Sequence, residues 1–337
     1  MSLPSSQVPQ HVLPRWRGFN LLEMFTGKQS RDFAADDFAW IAEWGFDFVR
    51  LPMSYLCWIE EGDVYRIREA GLGQVDRAVE HALARGLHVN LNFHRAPGFC
   101  VNPPREPLNL WKDSAALDAF CFHWELFARR YRHIPSARLS FNLVNEPTNG
   151  AEDGMTRADH ERVCRAAIGR IRKIDPERLI ILDGLSWGQD PLGELIDLGV
   201  AQSCRAYWPQ NLTHYRASWV PQGKDEPLPV WPDIVHRGEV WNRARLRDHY
   251  RPWADLARRG VGVHCGEGGC FKFTPHAVAL VWLRDVLETL TGLGIGYALW
   301  QFRGPFGILD SDRADVAYED WRGHKLDRKL LELLQEF

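Results

Sequence analysis

Three features are weak or missing in this chain of 337 residues: a net charge of either sign, long apolar runs and closely spaced cysteines. A net charge of only −3 argues against a nucleic-acid partner held through its phosphates. No apolar run reaches the roughly 18 residues that a transmembrane helix needs, so no membrane partner is expected. The seven cysteines have no CxxC spacing, which favours neither a disulfide framework nor a zinc site.

Two sequence signals are also missing. The N-terminal lead-in, residues 1–15, has no basic segment followed by an apolar one and does not resemble a secretory signal. A cytoplasmic location is therefore expected, although a leader already removed would leave the same sequence. No GxGxxG or GxxxxGK[ST] motif follows the first predicted strand, which argues against a nucleotide cofactor. We expect no metal and no cofactor.

Tryptophan, by contrast, is abundant, with 15 residues against 17 Phe and 8 Tyr. An indole has a large apolar face and one N–H donor, which suits a core and a sugar ring equally. Four tryptophans fall at helical spacing and are predicted to lie in the core: Trp40, Trp44, Trp124 and Trp282. For six others, in predicted loops after strands, core packing and stacking on a sugar both stay open: Trp58, Trp111, Trp187, Trp208, Trp219 and Trp231.

Short apolar runs alternate with longer amphipathic segments along the chain. The predicted strands are Gly18–Leu22, Phe46–Leu51, His88–Phe93, Leu139–Asn145, Leu179–Asp183, Gln202–Tyr207, Gly262–Glu267 and Gly296–Gln301. Predicted helices include Gln74–Arg85, Ser114–Tyr131, Arg157–Ile174, Ala244–Arg259 and His276–Leu290. Eight units of strand then helix predict an α/β fold, a single-domain (β/α)8 TIM barrel over residues 1–337. The irregular stretch Trp208–Trp241 is expected to form an elaborated loop after strand six, over the barrel mouth.

Polar or aromatic side chains end six of these strands: Arg50, His94, Asn145 with Glu146, Tyr207, Glu267, and Trp300 with Gln301. In such a barrel the carboxyl ends of the strands form the catalytic face. Glu146 and Glu267 lie three strands apart and are expected to project toward a common centre. Two carboxyl groups about 5 Å apart are the arrangement that retaining glycosidases use.

The strings RGFNLLEMF, VRLP, FNLVNEP, the GE of strand seven and WQFRGPFGILD occur in this order along most of the chain. At these residues the sequence resembles glycoside hydrolase family 5, the cellulase-like retaining β-glycosidases. The resemblance implies that Glu146 is the acid/base and Glu267 the nucleophile of a double displacement. The implied substrate is a β-linked glucoside or mannoside within an oligo- or polysaccharide. It also implies supporting or substrate-binding roles for Arg50, His94, Asn145, Tyr207 and Trp300.

One position departs from this family. Arg205 stands two residues before Tyr207, where members usually have a histidine, and a permanently charged guanidinium does not replace a neutral imidazole. Either Arg205 changes the charge balance near Glu267, or the alignment of strand six is shifted. His214, just downstream, is a further candidate for the missing imidazole and for substrate binding.

Three alternative functions stay open from the sequence. The same site could act as a transglycosylase if an acceptor sugar outcompetes water. A carbohydrate-binding barrel without turnover is disfavoured because both glutamates are present. A metal-dependent or lyase barrel is disfavoured because no His/Asp ligand cluster lies at the strand ends. The sugar, the linkage and exo or endo action depend on whether the Trp208–Trp241 loop blocks one end of the cleft.

Overall fold

Eight parallel strands form the centre of the computed structural model, which describes residues 13–27, 30–220 and 227–337. We label them β1 to β8: Arg17–Asn20, Phe48–Ser54, His88–Ala96, Leu139–Asn142, Ile180–Asp183, Ala201–Ala206, Val263–Gly268 and Gly296–Leu299. Neighbours pair in the order β2-β1-β8-β7-β6-β5-β4-β3, and β2 also pairs with β3. This last pairing closes the sheet, so the predicted (β/α)8 barrel is confirmed. Of the predicted N-terminal lead-in, residues 1–12 lie outside the described residues.

Seven helices of eight residues or more lie in the described part of the chain and surround the barrel. They are α1 to α7: Ala35–Glu43, Glu69–Ala84, Ser114–Tyr131, Arg157–Ile174, Arg243–Arg258, His276–Gly292 and Arg328–Gln335. Helix α2 buries Leu72, Val75 and Val79, spaced three or four residues apart, against the barrel. It ends before Gly86, whose φ of +79° suits glycine. Amphipathic spacing therefore located the helices, although α1 and α7 were not among those predicted.

The fifth strand–helix unit departs from the regular pattern. Between β5 and β6 the described chain forms only a short turn at Leu185–Gly188 and a 3₁₀ helix at Gly193–Leu198. Pro191 and the positive φ values of Ser186 and Trp187 interrupt any longer helix there. This shorter unit leaves the chain after β5 close to the carboxyl end of β4.

The segment after β6 is long and irregular, as expected. It contains one helical turn, Gln210–Thr213, and a small antiparallel hairpin of Ile234–His236 with Glu239–Trp241. Residues 221–226 of this predicted loop lie outside the described residues. Two further hairpins decorate the barrel, Ile59–Glu60 with Asp63–Ile67 and Glu319–Trp321 with His324–Leu326.

The main core lies between the barrel and its helices, and it takes up several of the tryptophans. Trp124 and Trp282 are fully buried, as predicted, and Trp40 is nearly so. Trp58 and Trp111, for which sugar stacking stayed open, are also fully buried. Both were placed after strands, but Trp58 packs against Phe93 and Phe127, and Trp111 packs against Phe99 and His160. In the described ranges, no helix is both long and apolar enough to cross a membrane.

Candidate active site

Arg50 lies at the centre of the polar side chains that converge at the carboxyl ends of the strands. It is buried, and its Nη1 donates to Glu267 Oε1 at 2.6 Å and to Asn20 Oδ1 at 3.0 Å. Its Nη2 donates to Asn142 Oδ1 at 3.0 Å and to Asn145 Oδ1 at 2.8 Å. A buried guanidinium is tolerated only when its donors are satisfied, and here residues of β1, β7 and the end of β4 supply the acceptors. Arg50 therefore fixes the relative positions of β1, β2, β4 and β7 at the mouth of the barrel.

Glu267 is held from three sides. It extends from β7, is 3% exposed, and pairs with Arg50. The hydroxyl of Tyr207 donates to Glu267 Oε2 at 3.1 Å, and Arg205 Nη2 lies 3.2 Å from Oε1. Burial, followed by the charge of Glu267, raises the pKa of Tyr207 well above its ordinary value, so this phenol keeps its proton and remains a donor. These contacts hold the Glu267 carboxyl group in one fixed orientation.

Glu146 sits beyond the end of β4, at a backbone φ of +47° that is unusual for a residue with a side chain. Its N–H donates to Asp183 Oδ2 at 2.9 Å, and its Oε1 accepts from Arg205 Nε at 3.0 Å. Its side chain is 15% exposed, more than that of Glu267. Burial, together with the negative charges of Glu267 and Asp183, raises the pKa of Glu146 to about 8, although Arg205 opposes the shift. One carboxyl group of the pair is therefore suited to hold a proton at neutral pH.

Arg205 spans the two glutamates. The register of β6 against β7 places Arg205 opposite Glu267, and Tyr207 two residues later reaches the same carboxylate. The strand-six alignment therefore agrees with the geometry, and the alternative of a shifted alignment is not needed. His214 lies beside Tyr207, with ring centroids 5.0 Å apart, and its Nδ1 is 2.9 Å from Thr213 Oγ1. Burial lowers the pKa of His214 to about 4, so this imidazole is neutral at pH 7.

His94 and Trp300, together with Phe25, form an aromatic wall of the site. Their ring centroids are 5.8 Å apart, and Phe25 packs against both rings, at 4.2 Å from His94 and 5.6 Å from Trp300. His94 Nε2 lies 3.0 Å from Asn102 Oδ1, while its Nδ1 is buried with no protein partner in the described residues. Burial, aided by the nearby positive charge of Arg50, lowers the pKa of His94 well below its ordinary value. A neutral imidazole with a free ring nitrogen can bind a sugar hydroxyl.

Four polar residues at this site were not predicted from the sequence: Asn20, Asn102, Asn142 and Asp183. The predicted strands place Asn20 and Asn142 in their interiors, whereas β1 and β4 in fact end at these two residues. Asp183 ends predicted strand five, so the signal used for the other strand ends was present there as well. Asn102 follows β3 in a loop, and no sequence pattern connects it to His94.

The remaining tryptophans divide by exposure. Trp219 is 53% exposed and packs at 4.8 Å against Phe271, which is buried with Phe306 beneath Tyr207. Trp208 is half-buried against Trp241, with ring centroids 5.8 Å apart. Two more, Trp187 and Trp231, are also half-buried. Trp219 is therefore the candidate of the six that is best placed to stack on a sugar.

Comparison with known proteins agrees with this geometry. The family model for cellulases, glycosyl hydrolase family 5, matches residues 7–304. Cellodextrinase A of Ruminococcus flavefaciens is 27% identical over 265 residues, which cover 77% of this chain and 75% of the relative. Endoglucanase C of Acetivibrio thermocellus is 26% identical over 308 residues, covering 84% and 88%.

One solved structure is considerably more similar. A protein described as a glycoside hydrolase is 43% identical and superposes with a TM-score of 0.92, over 96% of this chain and 99% of that chain.

Proposed function

This chain belongs to glycosyl hydrolase family 5 and is a retaining glycosidase, and we propose that it cleaves β-linked gluco-oligosaccharides with Glu146 as acid/base and Glu267 as nucleophile. The observation that carries the proposal is the shared guanidinium of Arg205, which contacts both carboxyl groups. Sharing one guanidinium holds the two carboxyl groups together at the barrel mouth, and retention of configuration follows from the family to which the chain belongs.

In the first step, a Glu267 oxygen attacks the anomeric carbon and forms a covalent ester with the sugar. The bond from that carbon to the leaving oxygen breaks, and the proton of Glu146 passes to this oxygen. Arg50 and Tyr207 hold Glu267 in position for the attack. The raised pKa of Glu146 means that the proton is present at neutral pH.

In the second step, Glu146 is a carboxylate and accepts a proton from water as the water oxygen attacks the anomeric carbon. The ester to Glu267 breaks, and both glutamates return to their starting states. Two inversions at one carbon give net retention of configuration. Asn145 supports this cycle because its Nδ2 is buried with no protein partner in the described residues, which leaves its N–H donors available to a sugar hydroxyl.

The preference for glucose rests on the relatives, whose names are those of a cellodextrinase and an endoglucanase. The exposed indole of Trp219, contiguous with Tyr207 through two phenylalanines, supports binding of more than one sugar unit.

The test uses cello-oligosaccharides, manno-oligosaccharides and xylo-oligosaccharides, with an aryl β-glucoside, in the presence of a chelator. We expect NMR of the first product from the gluco-series to show the β-anomer. Inversion would remove Glu267 from the nucleophile role. Binding without turnover would instead favour a carbohydrate-binding barrel, and preference for the manno-series would correct the substrate.

Glu267→Ala provides the matched control. It should lose several orders of magnitude in turnover, and azide or formate should restore part of the activity with an inverted product, because a small anion fills the space left by the carboxylate. Near-normal turnover in this variant would contradict the assignment.

A further inference from the structure

Arg205 forms a buried pair with Asp183, the last residue of β5. Its Nη2 donates to Asp183 Oδ2, and the two side chains are fully buried. Its other donors reach Glu146 Oε1 through Nε, at 3.0 Å, and Ser203 Oγ through Nη1, at 2.9 Å. Since Nη2 also lies 3.2 Å from Glu267 Oε1, one guanidinium contacts three carboxyl groups.

The charges at the site balance only when these residues are counted together. Arg50 and Arg205 contribute two positive charges, and Asp183 contributes one negative charge. Glu146 and Glu267 together contribute one more negative charge, because one of them holds a proton. A neutral cluster is the arrangement that buried ions tolerate, since an uncompensated charge costs several kcal/mol.

We infer that Arg205, anchored by Asp183, is a positioning residue that pairs in turn with whichever catalytic glutamate carries the negative charge. This inference rests on the proposed function and deepens it. The role does not require an imidazole, and it explains how a chain with an arginine at this position keeps the acid/base pair.

The reaction moves one negative charge between the two glutamates. When Glu267 forms its ester with the anomeric carbon, it becomes neutral, and Glu146 becomes a carboxylate as its proton leaves with the alcohol. When water cleaves the ester, its proton returns to Glu146 and the charge returns to Glu267. Arg205 lies within ion-pair distance of both carboxyl groups, so the cluster stays neutral and the side chain need not move.

The guanidinium also determines which oxygen of Glu146 holds the proton. Arginine has five donors and no acceptor, and it stays protonated in proteins. Because Nε–H points at Glu146 Oε1, that oxygen acts as the acceptor and the acidic proton resides on Oε2. A histidine at this position could exchange a proton with Glu146, whereas Arg205 can only donate a hydrogen bond to it.

Six titratable or charged groups act on Glu146 from the elements around it: Arg50, Cys100, Asp183, Arg205, Tyr207 and Glu267. Burial raises the pKa of the Cys100 thiol and of the Tyr207 phenol, so both are neutral at pH 7. Of the remaining charges, Asp183 raises the pKa of Glu146 and Arg205 lowers it. Variants of these two residues should therefore move the titration in opposite directions.

The experiment measures the Glu146 titration directly, by NMR of protein labelled with ¹³C at the glutamate side-chain carboxyl, with Glu146→Gln to assign the signal. Arg205→Gln should raise the pKa of Glu146 by about one unit or more. Asp183→Asn should lower it by a comparable amount. The double variant should return it to near the wild-type value, and Arg205→Lys, which keeps the charge, should move it least.

The basic limb of kcat/KM against pH should shift in the same order, because that limb reports the acid in the free enzyme. A purely structural role would move both single variants in one direction or leave the titration unchanged, and either result overturns the inference. If Arg205→Gln does not fold, the neutral double variant and Asp183→Asn decide the question. The NMR titration needs no turnover, so an inactive wild-type enzyme would refute the proposed function while the titration still tests the role of Arg205.

Discussion

Replacing Glu146 by glutamine should make the protein more stable at alkaline pH. The structure holds the Glu146 carboxyl beside Asp183 and Glu267, and its pKa is raised from 4.5 to about 8, by burial first and by these charges second. A carboxyl whose pKa is higher in the folded state binds its proton more tightly there. Its contribution to stability is therefore complete below about pH 4.5 and is lost as the pH rises toward 8.

The magnitude follows from the width of that interval. More than three pH units, at about 1.4 kcal/mol per unit, amount to an effect on the order of 4 kcal/mol. For a chain of 337 residues the entropy of unfolding is about 0.7 kcal/mol/K, so the melting temperatures should differ by about 6 °C. Glutamine keeps the acceptor for Arg205 and carries no charge at any pH.

The assay is differential scanning calorimetry of wild type and Glu146→Gln at pH 5 and pH 9, at one scan rate. We expect nearly equal melting temperatures at pH 5 and a more stable variant at pH 9. Glu80→Gln, on the exposed face of α2, is the control and should show no such dependence on pH. An equal difference at both pH values would refute the reasoning, because it would mean that folding does not raise the pKa of Glu146.

Three further predictions concern single side chains. Tyr207→Phe removes the donor to Glu267 and should lower kcat by about 10- to 100-fold with the fold unchanged by circular dichroism; an unaltered kcat would contradict this role. Trp219→Ala should raise KM for cello-oligosaccharides about two- to tenfold but leave KM for an aryl monoglucoside unchanged. Equal effects on both substrates would show that Trp219 does not bind the additional sugar units. Trp58→Phe, which loses the hydrogen bond to His123, should cost roughly 2 kcal/mol in urea unfolding without moving the pH profile of activity.

The barrel could be predicted from the sequence because the hydrophobic periodicity of each segment, and the alternation of strands with helices along the chain, are both visible there. Each strand is a short apolar run, each long helix has amphipathic spacing, and the predicted bounds of α3 and α4 match the structure. The unit after β5 could not be predicted in this way, because Gly184, Gly188 and Pro191 replace the helical pattern with turns whose geometry depends on their neighbours. Periodicity therefore predicts regular elements and says little about the loops between them.

Site residues were predictable where they follow the end of a predicted strand. They were missed where the strand ended earlier than predicted. Asn142 was assigned to the interior of a strand reaching Asn145, but β4 ends at Asn142. Both side chains therefore face Arg50. Burial also could not be inferred for Trp58, since a tryptophan after a strand has the same local sequence whether it faces a sugar or packs in the core. Only the three-dimensional course of the loop distinguishes these two positions.

Arg205 shows why a departure from a family pattern has to be interpreted across strands. Taken alone, it adds a positive charge to a site that already contains Arg50. The compensating charge, Asp183, is 22 residues away in sequence but adjacent in space, because β5 and β6 pair in parallel with Asp183 opposite Ser203. The residues at positions 183 and 205 therefore form one electrostatic unit.

This coupling predicts the result of restoring the family's histidine. Arg205→His alone leaves the Asp183 carboxylate without its main partner and removes the guanidinium that positions both glutamates, so kcat/KM at pH 7 should fall by at least about tenfold. Adding Asp183→Asn removes the uncompensated charge and should recover part of that loss, although Asp183→Asn by itself reduces activity. The measurement is a double-mutant cycle on kcat/KM with an aryl β-glucoside. Purely additive losses would show that the two residues act independently and that histidine is disfavoured at position 205 for reasons other than charge.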